Sequence, residues 1–364
     1  MSHVISLRRQ HKENQEYRLY SNKFSVPIPS RREIMSNVSV GIIGLGAQAQ
    51  NHLAVLSKDP RVRIAGVADA VEPIADYTAS RYRCTSYKNY RSLIDSEELD
   101  AVYVVIPNVY HYEALKYALS KGLNIFCEKP MVINYGHARE LLNAVEKAKV
   151  VFQVGHNRRF SPVYKKLKEL VPSKIKPYMV IIKMVTGELQ RPPWGADPKI
   201  SGGHLYDTTL HMLDMARWLF GEVVEVTCRA KANVYTTILN DFWINLKHQS
   251  GLEVPIFSSG HASWIVPFER VEVIGDHCCA ITEELNRISY TLGLDLPTQT
   301  EEFNYLPITS TWGVEEEDRF FVDAVTGKRN PPVTVDDGFK IIEIIEACYR
   351  SNDTGKAVSL PLNG

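Results

Sequence analysis

The chain has 364 residues, with 42 Lys and Arg against 42 Asp and Glu, and is 45% hydrophobic and 23% charged. That length accommodates two domains with their own cores, and the apolar content excludes wholesale disorder and collagen-like repeats. Zero formal net charge offers no overall attraction to nucleic acid or to an anionic membrane, so neither is expected as a partner.

No uninterrupted apolar run approaches the roughly 20 residues that cross a bilayer, and residues 1–30 lack the apolar stretch of a secretory signal. The six cysteines (84, 127, 228, 278, 279 and 348) form no C-x-x-C pair and lack the His spacing of a zinc site. All six are expected to be reduced, and no metal is expected. The expectation is a soluble, cytoplasmic protein.

Residues 1–34 carry seven Lys or Arg against three Glu, a local charge of +4 that the remainder balances. They show no clear period and run into Ser-Val-Pro-Ile-Pro-Ser before Met35, which reads as a solvated arm. From residue 38 the character changes. A short β-rich run, 38–43, leads into Gly44-Leu-Gly46-Ala47-Gln48-Ala49, a helix-compatible stretch at 50–58 and a second β run at 63–68 that ends on Asp69.

Strand, glycine turn, helix, strand and acid follow in the order that a dinucleotide site requires. Gly44 permits the tight turn and Gly46 lets backbone approach a pyrophosphate, while Ala49 in the third position still allows helix to pack on strand. Ala47 and Gln48 follow as further candidate cofactor contacts, and the first N–H groups of the helix would face the phosphates. Asp69, 25 residues after Gly44, is placed to accept from the ribose hydroxyls of the adenosine half. Its carboxylate would repel a 2′-phosphate, so NAD is expected over NADP.

The alternation continues with β runs at 101–106, 123–127 and 150–154, separated by helices at about 110–120 and 135–147. Repeated β–α units imply a doubly wound parallel sheet that binds its ligand at the carboxyl ends of the strands. Pro107, Asn108, His111, Glu128 and Lys129 lie at or just beyond such ends and join the expected cofactor contacts. His156, Asn157 and Arg158 lie at another.

Beyond residue 175, β runs dominate (178–186, 222–234, 241–248, 252–259 and 268–275), with helical stretches at about 205–219 and 336–349. This predicts an α+β second half with an open, mostly antiparallel sheet. Residues 187–203, rich in Pro and Gly, read as a loop on the substrate side. The expected organisation is an arm at 1–34, a dinucleotide-binding domain at 35–157, and a substrate and oligomerisation domain at 158–364.

The glycine turn, the Glu128-Lys129-Pro130 that follows a strand, and Gly202-Gly203-x-x-x-Asp207-x-x-x-His211 resemble the glucose–fructose oxidoreductase, inositol dehydrogenase and rhizopine-catabolism (Gfo/Idh/MocA) family. The likeness covers about 37–364. It implies NAD(P)-dependent oxidation or reduction of a sugar, inositol or sugar derivative, and a C-terminal sheet that often mediates oligomerisation. It carries the family's catalytic lysine onto Lys129, and its acid and histidine onto Asp207 and His211.

The chemistry follows from the residues as well. Hydride transfer from a secondary alcohol needs a base for the hydroxyl proton and a stabiliser for the alkoxide. Asp207 and His211 are four apart on a predicted helix, hence on one face, and a helix N-terminus favours the ionised Asp207. Asp207 would orient the substrate and His211, His211 would accept the proton, and the Lys129 cation would stabilise the alkoxide; Lys129 as the proton acceptor is the alternative.

Lys129, Asn157, Arg158, Trp194, Tyr206, Asp207 and His211 are the candidate substrate contacts, with Arg191 in the same loop. For several of these a packing role competes. Arg158 and Arg159 either grip a charged substrate or pair with acids, and Trp194 and Tyr206 either touch a sugar or fill the core. Two further function classes share the fold: a cofactor-sensing regulator, and an NAD-dependent glycosidase. A sheet with one uncovered face also predicts a homodimer or homotetramer.

Overall fold

The computed structural model describes residues 38–187, 193–234, 238–263 and 267–363, so the basic arm and Arg191 lie outside the described residues. The first half comprises β1 (Val38–Ile43), α1 (Ala47–Leu56), β2 (Val62–Ala68), α2 (Glu72–Tyr82), β3 (Thr85–Tyr87) and α3 (Tyr90–Ser96). It continues through β4 (Ala101–Val104), α4 (His111–Ser120), β5 (Asn124–Glu128), α5 (Tyr135–Ala148) and β6 (Phe152–Gly155). These six strands form one parallel sheet in the order β3-β2-β1-β4-β5-β6.

The order runs outward in both directions from β1. The crevice beyond the carboxyl ends of β1 and β4 is therefore the topological switch point where such sheets bind ligands. β1 is buried at all six positions because helices cover both faces. α1 buries Ala49, Leu53 and Leu56, spaced four and three apart on one helical face. Gly44 sits at φ +87°, and a Cβ there would lie 2.2 Å from the Val105 carbonyl oxygen. Only glycine lets β1 turn this close to the end of β4.

The second half contains α6 (Pro162–Leu170), β7 (Met179–Val185), α7 (Pro198–Ser201), a π-helical turn at Leu205–Thr209, and α8 (Leu210–Phe220). Then come β8 (Val223–Lys231), β9 (Asp241–His248), β10 (Glu253–Ser259), β11 (Glu269–Gly275), β12 (Cys278–Glu283), β13 (Arg287–Thr291) and β14 (Gln299–Glu302). The chain finishes with α9 (Ile308–Thr311), α10 (Val314–Val325), α11 (Val335–Thr354) and β15 (Val358–Ser359).

The nine strands order as β14-β13-β12-β11-β7-β10-β9-β8-β15, and among the described residues only the β7–β10 pairing is parallel. The fold class is that expected: a doubly wound parallel sheet followed by an α+β half with a mostly antiparallel sheet. The inner face of that sheet is buried through Val180, Ile182, Val254, Ile256, Val271 and Val273, while Trp243 and Phe257 stand exposed opposite one another on the outer face.

The last two long helices return to the first sheet. Phe321 and Val322 of α10 share a core with Val40, Ile42 and Leu53, and α11 packs on α5 and β6. Other details depart from the sequence reading. The helix expected at 50–58 starts earlier, at Ala47, because Gly46 is extended and serves as its N-cap. The strand expected at 101–106 stops at Val104. The elements α2, β3, α3, α6, β12–β14, α10 and β15 were not read from the sequence at all.

Candidate active site

The glycine-turn side of the crevice is organised by one carboxylate. Asp69, just past β2, accepts the Leu45 N–H on Oδ2 at 2.9 Å and the Val71 N–H on Oδ1 at 2.8 Å, which fastens it beside the glycine turn. At Gly46 an added Cβ would meet nothing within 4 Å, so the backbone there borders open space. α1 starts without a side-chain cap, which leaves the N–H groups of its first turn, beginning at Ala47 and Gln48, for an anion. The Gln48 side chain donates to Glu128 Oε1 at 2.9 Å.

Past β4, Pro107 precedes Asn108, which is 4% exposed and donates to the Ser201 carbonyl at 2.8 Å. That bond joins the first sheet's strand ends to the Gly202-Gly203 loop. His111 is buried with its ring nitrogens 2.8 Å from the Pro130 and Ile106 carbonyls, so it braces the segments after β4 and β5. Glu128 is also buried, at the last position of β5, and takes Gln48, His52 and the Lys129 N–H on its carboxylate.

Past β5, Lys129 Nζ donates to the Asp207 carbonyl at 2.6 Å and lies 3.8 Å from Asp207 Oδ1. The two halves of the chain thus meet through this cation and carboxylate. Asp207 Oδ2 accepts from the Thr208 hydroxyl at 3.2 Å.

The expected Asp207–His211 contact does not form. Asp207 falls in the π-helical turn, where the wider winding breaks the four-residue registry that an α-helix would supply. His211, on α8, is buried with Nδ1 unpartnered. Burial, reinforced by the positive charges of Arg158 and Lys129 and by His156, holds its pKa well below the ordinary histidine value.

The remaining sequence candidates divide. Asn157 is buried and accepts from Arg158 on its side-chain oxygen at 3.3 Å. Arg158 is buried, donates to Glu269 Oε2 at 2.9 and 3.2 Å, and lies over the Trp312 ring. Its charge is therefore matched within the protein. Arg159 is likewise paired with Asp214 and Asp337. Tyr206 is buried and stacks near Tyr349, in a packing environment. Trp194 is half-buried in the 3-10 turn Pro193–Ala196, just before Asp197 caps α7.

His156, named from the sequence at a strand end, is buried with both ring nitrogens unpartnered, 3.9 Å from Asp214. Other polar residues near the site were not singled out from the sequence. His204 meets Ser258 Oγ at 3.0 Å, and burial lowers its pKa to about 4. His52 lies between Glu128 and Asp318. The signal for His52 was present: it occupies the buried α1 stripe beside Ala49, Leu53 and Leu56, where an ionisable group requires partners. Among the described residues, no group of His, Cys, Asp and Glu is arranged to hold a metal. No helix among them is long and apolar enough to cross a membrane.

A glycine turn at the switch point of a parallel sheet, an acid after the second strand, and a second half that brings Asp207 and His211 to those strand ends define a two-part, dinucleotide-binding oxidoreductase. Residues 38–156 match the oxidoreductase family with an NAD-binding Rossmann fold, and residues 164–280 match the GFO/IDH/MocA C-terminal domain. The chain belongs to the Gfo/Idh/MocA family.

It is 29% identical over 337 residues to the uncharacterized oxidoreductase YrbE of Bacillus subtilis, covering 89% of this chain and 96% of that one. It is 25% identical over 330 residues to an inositol 2-dehydrogenase of Rhizobium meliloti, covering 89% and 99%. The crystal structure of myo-inositol 2-dehydrogenase from Lactobacillus plantarum superposes with a TM-score of 0.73 at 24% identity, over 89% of this chain and 99% of that one.

Proposed function

We propose that this protein is an NAD-dependent dehydrogenase that moves hydride between nicotinamide and a secondary hydroxyl of a sugar, an inositol or a sugar derivative. The observation that carries this reading is Lys129. Its ammonium meets Asp207 at the strand ends beyond the glycine turn, on the side where His211 adds a neutral imidazole. A relative named as an inositol 2-dehydrogenase supports the substrate class.

The residues fit a dinucleotide. Gly44, Gly46, Ala47 and Gln48 would hold the pyrophosphate at open backbone, and Asp69 would accept from the ribose diol and disfavour a 2′-phosphate. Pro107, Asn108, His111, Glu128 and Lys129 would complete the cofactor wall, with His111 and Glu128 acting from behind it. Bound nicotinamide would supply the hydride acceptor.

The chain does the rest. His211 takes the hydroxyl proton on Nε2, and its buried, cation-rich surroundings keep the ring in the neutral, accepting form. Lys129 Nζ stabilises the alkoxide as the proton leaves, and Asp207 orients the reacting hydroxyl. Asn157 and Trp194 would border the substrate, with Tyr206 packed behind them, whereas Arg158 would act on it only through its field at His211.

The test is a polyol and sugar panel with NAD+ and with NADP+, read by NADH or NADPH absorbance. At least one polyol should turn over with NAD+ in preference. Tight NAD+ binding without oxidation of any alcohol would refute the dehydrogenase reading and favour a cofactor sensor, and bond cleavage without net NADH would favour the glycosidase.

A further inference from the structure

Behind the strand ends, three elements from distant parts of the chain converge on one buried imidazole. His52 of α1 has no solvent exposure. Its Nδ1 lies 2.8 Å from Asp318 Oδ1 of α10, and its Nε2 lies 3.1 Å from Glu128 Oε1 of β5. The same Glu128 oxygen accepts from Gln48 at 2.9 Å, and the other accepts the Lys129 N–H at 3.0 Å.

With Asp318 and Glu128 both ionised, the oxygens facing the two ring nitrogens call for a hydrogen on each, which is the imidazolium form. Burial opposes that charge, but Asp318 and Glu128 outweigh it and hold the pKa well above the ordinary value. The other groups packed around the ring are Tyr103 of β4 and Phe126 of β5, with Glu317 of α10 nearby. The Glu317 carboxyl is buried without a partner, and burial pushes its pKa well up.

The arrangement is more than a buried ion pair. One end of it is Gln48, in the first turn of the helix that follows the dinucleotide glycines. The other end is the backbone of Lys129. We propose that His52 and Asp318 are positioning residues: they clamp the Glu128 carboxylate so that it holds Gln48 at the cofactor turn and Lys129 at the reaction centre. Through Asp318, helix α10 thereby becomes part of the cofactor site, although its sequence lies far from the glycine turn. The inference rests on the reading of Gln48 and Lys129 given under the proposed function.

The test measures NAD+ dissociation constants for the wild type, Asp318→Asn and His52→Gln from about pH 6 to about pH 9, beside the melting temperature of each. In the wild type, the doubly paired His52 stays charged and affinity stays flat. Asp318→Asn leaves His52 with one carboxylate, so its pKa falls. Affinity should then weaken by about tenfold or more as rising pH removes the proton that Glu128 needs.

His52→Gln supplies no charge and should be weak at every pH. If it fails to fold, Asp318→Asn, which keeps the His52–Glu128 pair, carries the test alone. A purely structural role would lower the melting temperatures and leave the pH profile of binding flat. A flat Asp318→Asn profile, or affinity within about threefold of wild type in both variants, overturns the proposal. A wild type that binds neither NAD+ nor NADP+ overturns the cofactor reading along with it.

Discussion

Replacing Lys129 by alanine should separate chemistry from folding and from cofactor binding. The ammonium donates to the Asp207 carbonyl at 2.6 Å, lies 3.8 Å from its carboxylate, and belongs to a side chain that is 20% exposed. At an effective dielectric of about 20, a charge pair at that distance attracts by roughly 4 kcal/mol before desolvation and side-chain ordering are subtracted. Those costs offset most of it at a partly hydrated site, so Lys129→Ala should change folding stability by about 1 kcal/mol or less.

The alkoxide is a different case, because its charge develops only as the reaction proceeds. Loss of one preorganised contact to such a charge costs about 2.7–4 kcal/mol, or roughly a hundredfold to a thousandfold in kcat. The Lys129 N–H that donates to Glu128 survives the substitution, so the NAD+ dissociation constant should move by less than about threefold. The assay is kcat and KM on a confirmed polyol, with NAD+ affinity and a urea midpoint on the same preparations. A kcat within about threefold of wild type, with NAD+ binding intact, would refute a chemical role for this cation.

His211 carries the pH prediction: its neutral form accepts the proton and its pKa lies well below the ordinary value, so kcat should hold as pH drops through 6.5 and fall only at more acid pH. An acid limb centred at or above 6.5 in the wild type, or the same limb in His211→Asn, would count against the histidine as base. Asp69→Ser with Ala70→Arg should shift preference from NAD toward NADP, because it removes the repelling carboxylate and adds a cation for the 2′-phosphate. Equal or tighter NADP binding by the unmodified protein would sink that argument.

Glu269→Gln should destabilise the fold by about 3–5 kcal/mol, since it leaves the buried Arg158 charge without its carboxylate. A loss below about 1 kcal/mol, read from urea unfolding, would show that Arg158 is not primarily a structural ion-pair partner. Trp243 and Phe257, each 44% exposed and paired across β9 and β10, should lie in an interface between copies of this chain. Light scattering should therefore give a dimer or tetramer that Trp243→Glu weakens, and the mass of a single chain for the wild type would contradict this.

The parts of this molecule that could be read in advance are those in which cause and consequence are neighbours along the chain. The turn at Gly44 and Asp69 just past β2 depend on residues within one β–α–β unit, and their spacing encodes them. The Asp207–His211 relation was equally local, yet the reading assumed α-helical winding; with a π turn at Leu205–Thr209, Asp207 meets Lys129 and Thr208 instead of His211. For Arg158 the sequence left two readings open, a substrate contact or an acid partner, for another reason. Its carboxylate stands 111 residues away on β11, and no periodicity within 155–160 announces it.

The His52 cluster lies between these cases. Apolar spacing shows which face of a helix is buried, but it does not say whether a polar residue on that face is paired. On α1 the face of Ala49, Leu53 and Leu56 contains a histidine; on α10 the face of Val314, Phe321 and Val322 contains two acids. A buried base on one helix and buried acids on another each cost free energy alone, and the costs fall together only if the helices meet. That complementarity was in the sequence. Recognising it required treating a polar residue in an apolar stripe as a demand for a partner, and then searching the whole chain for the group that could meet it.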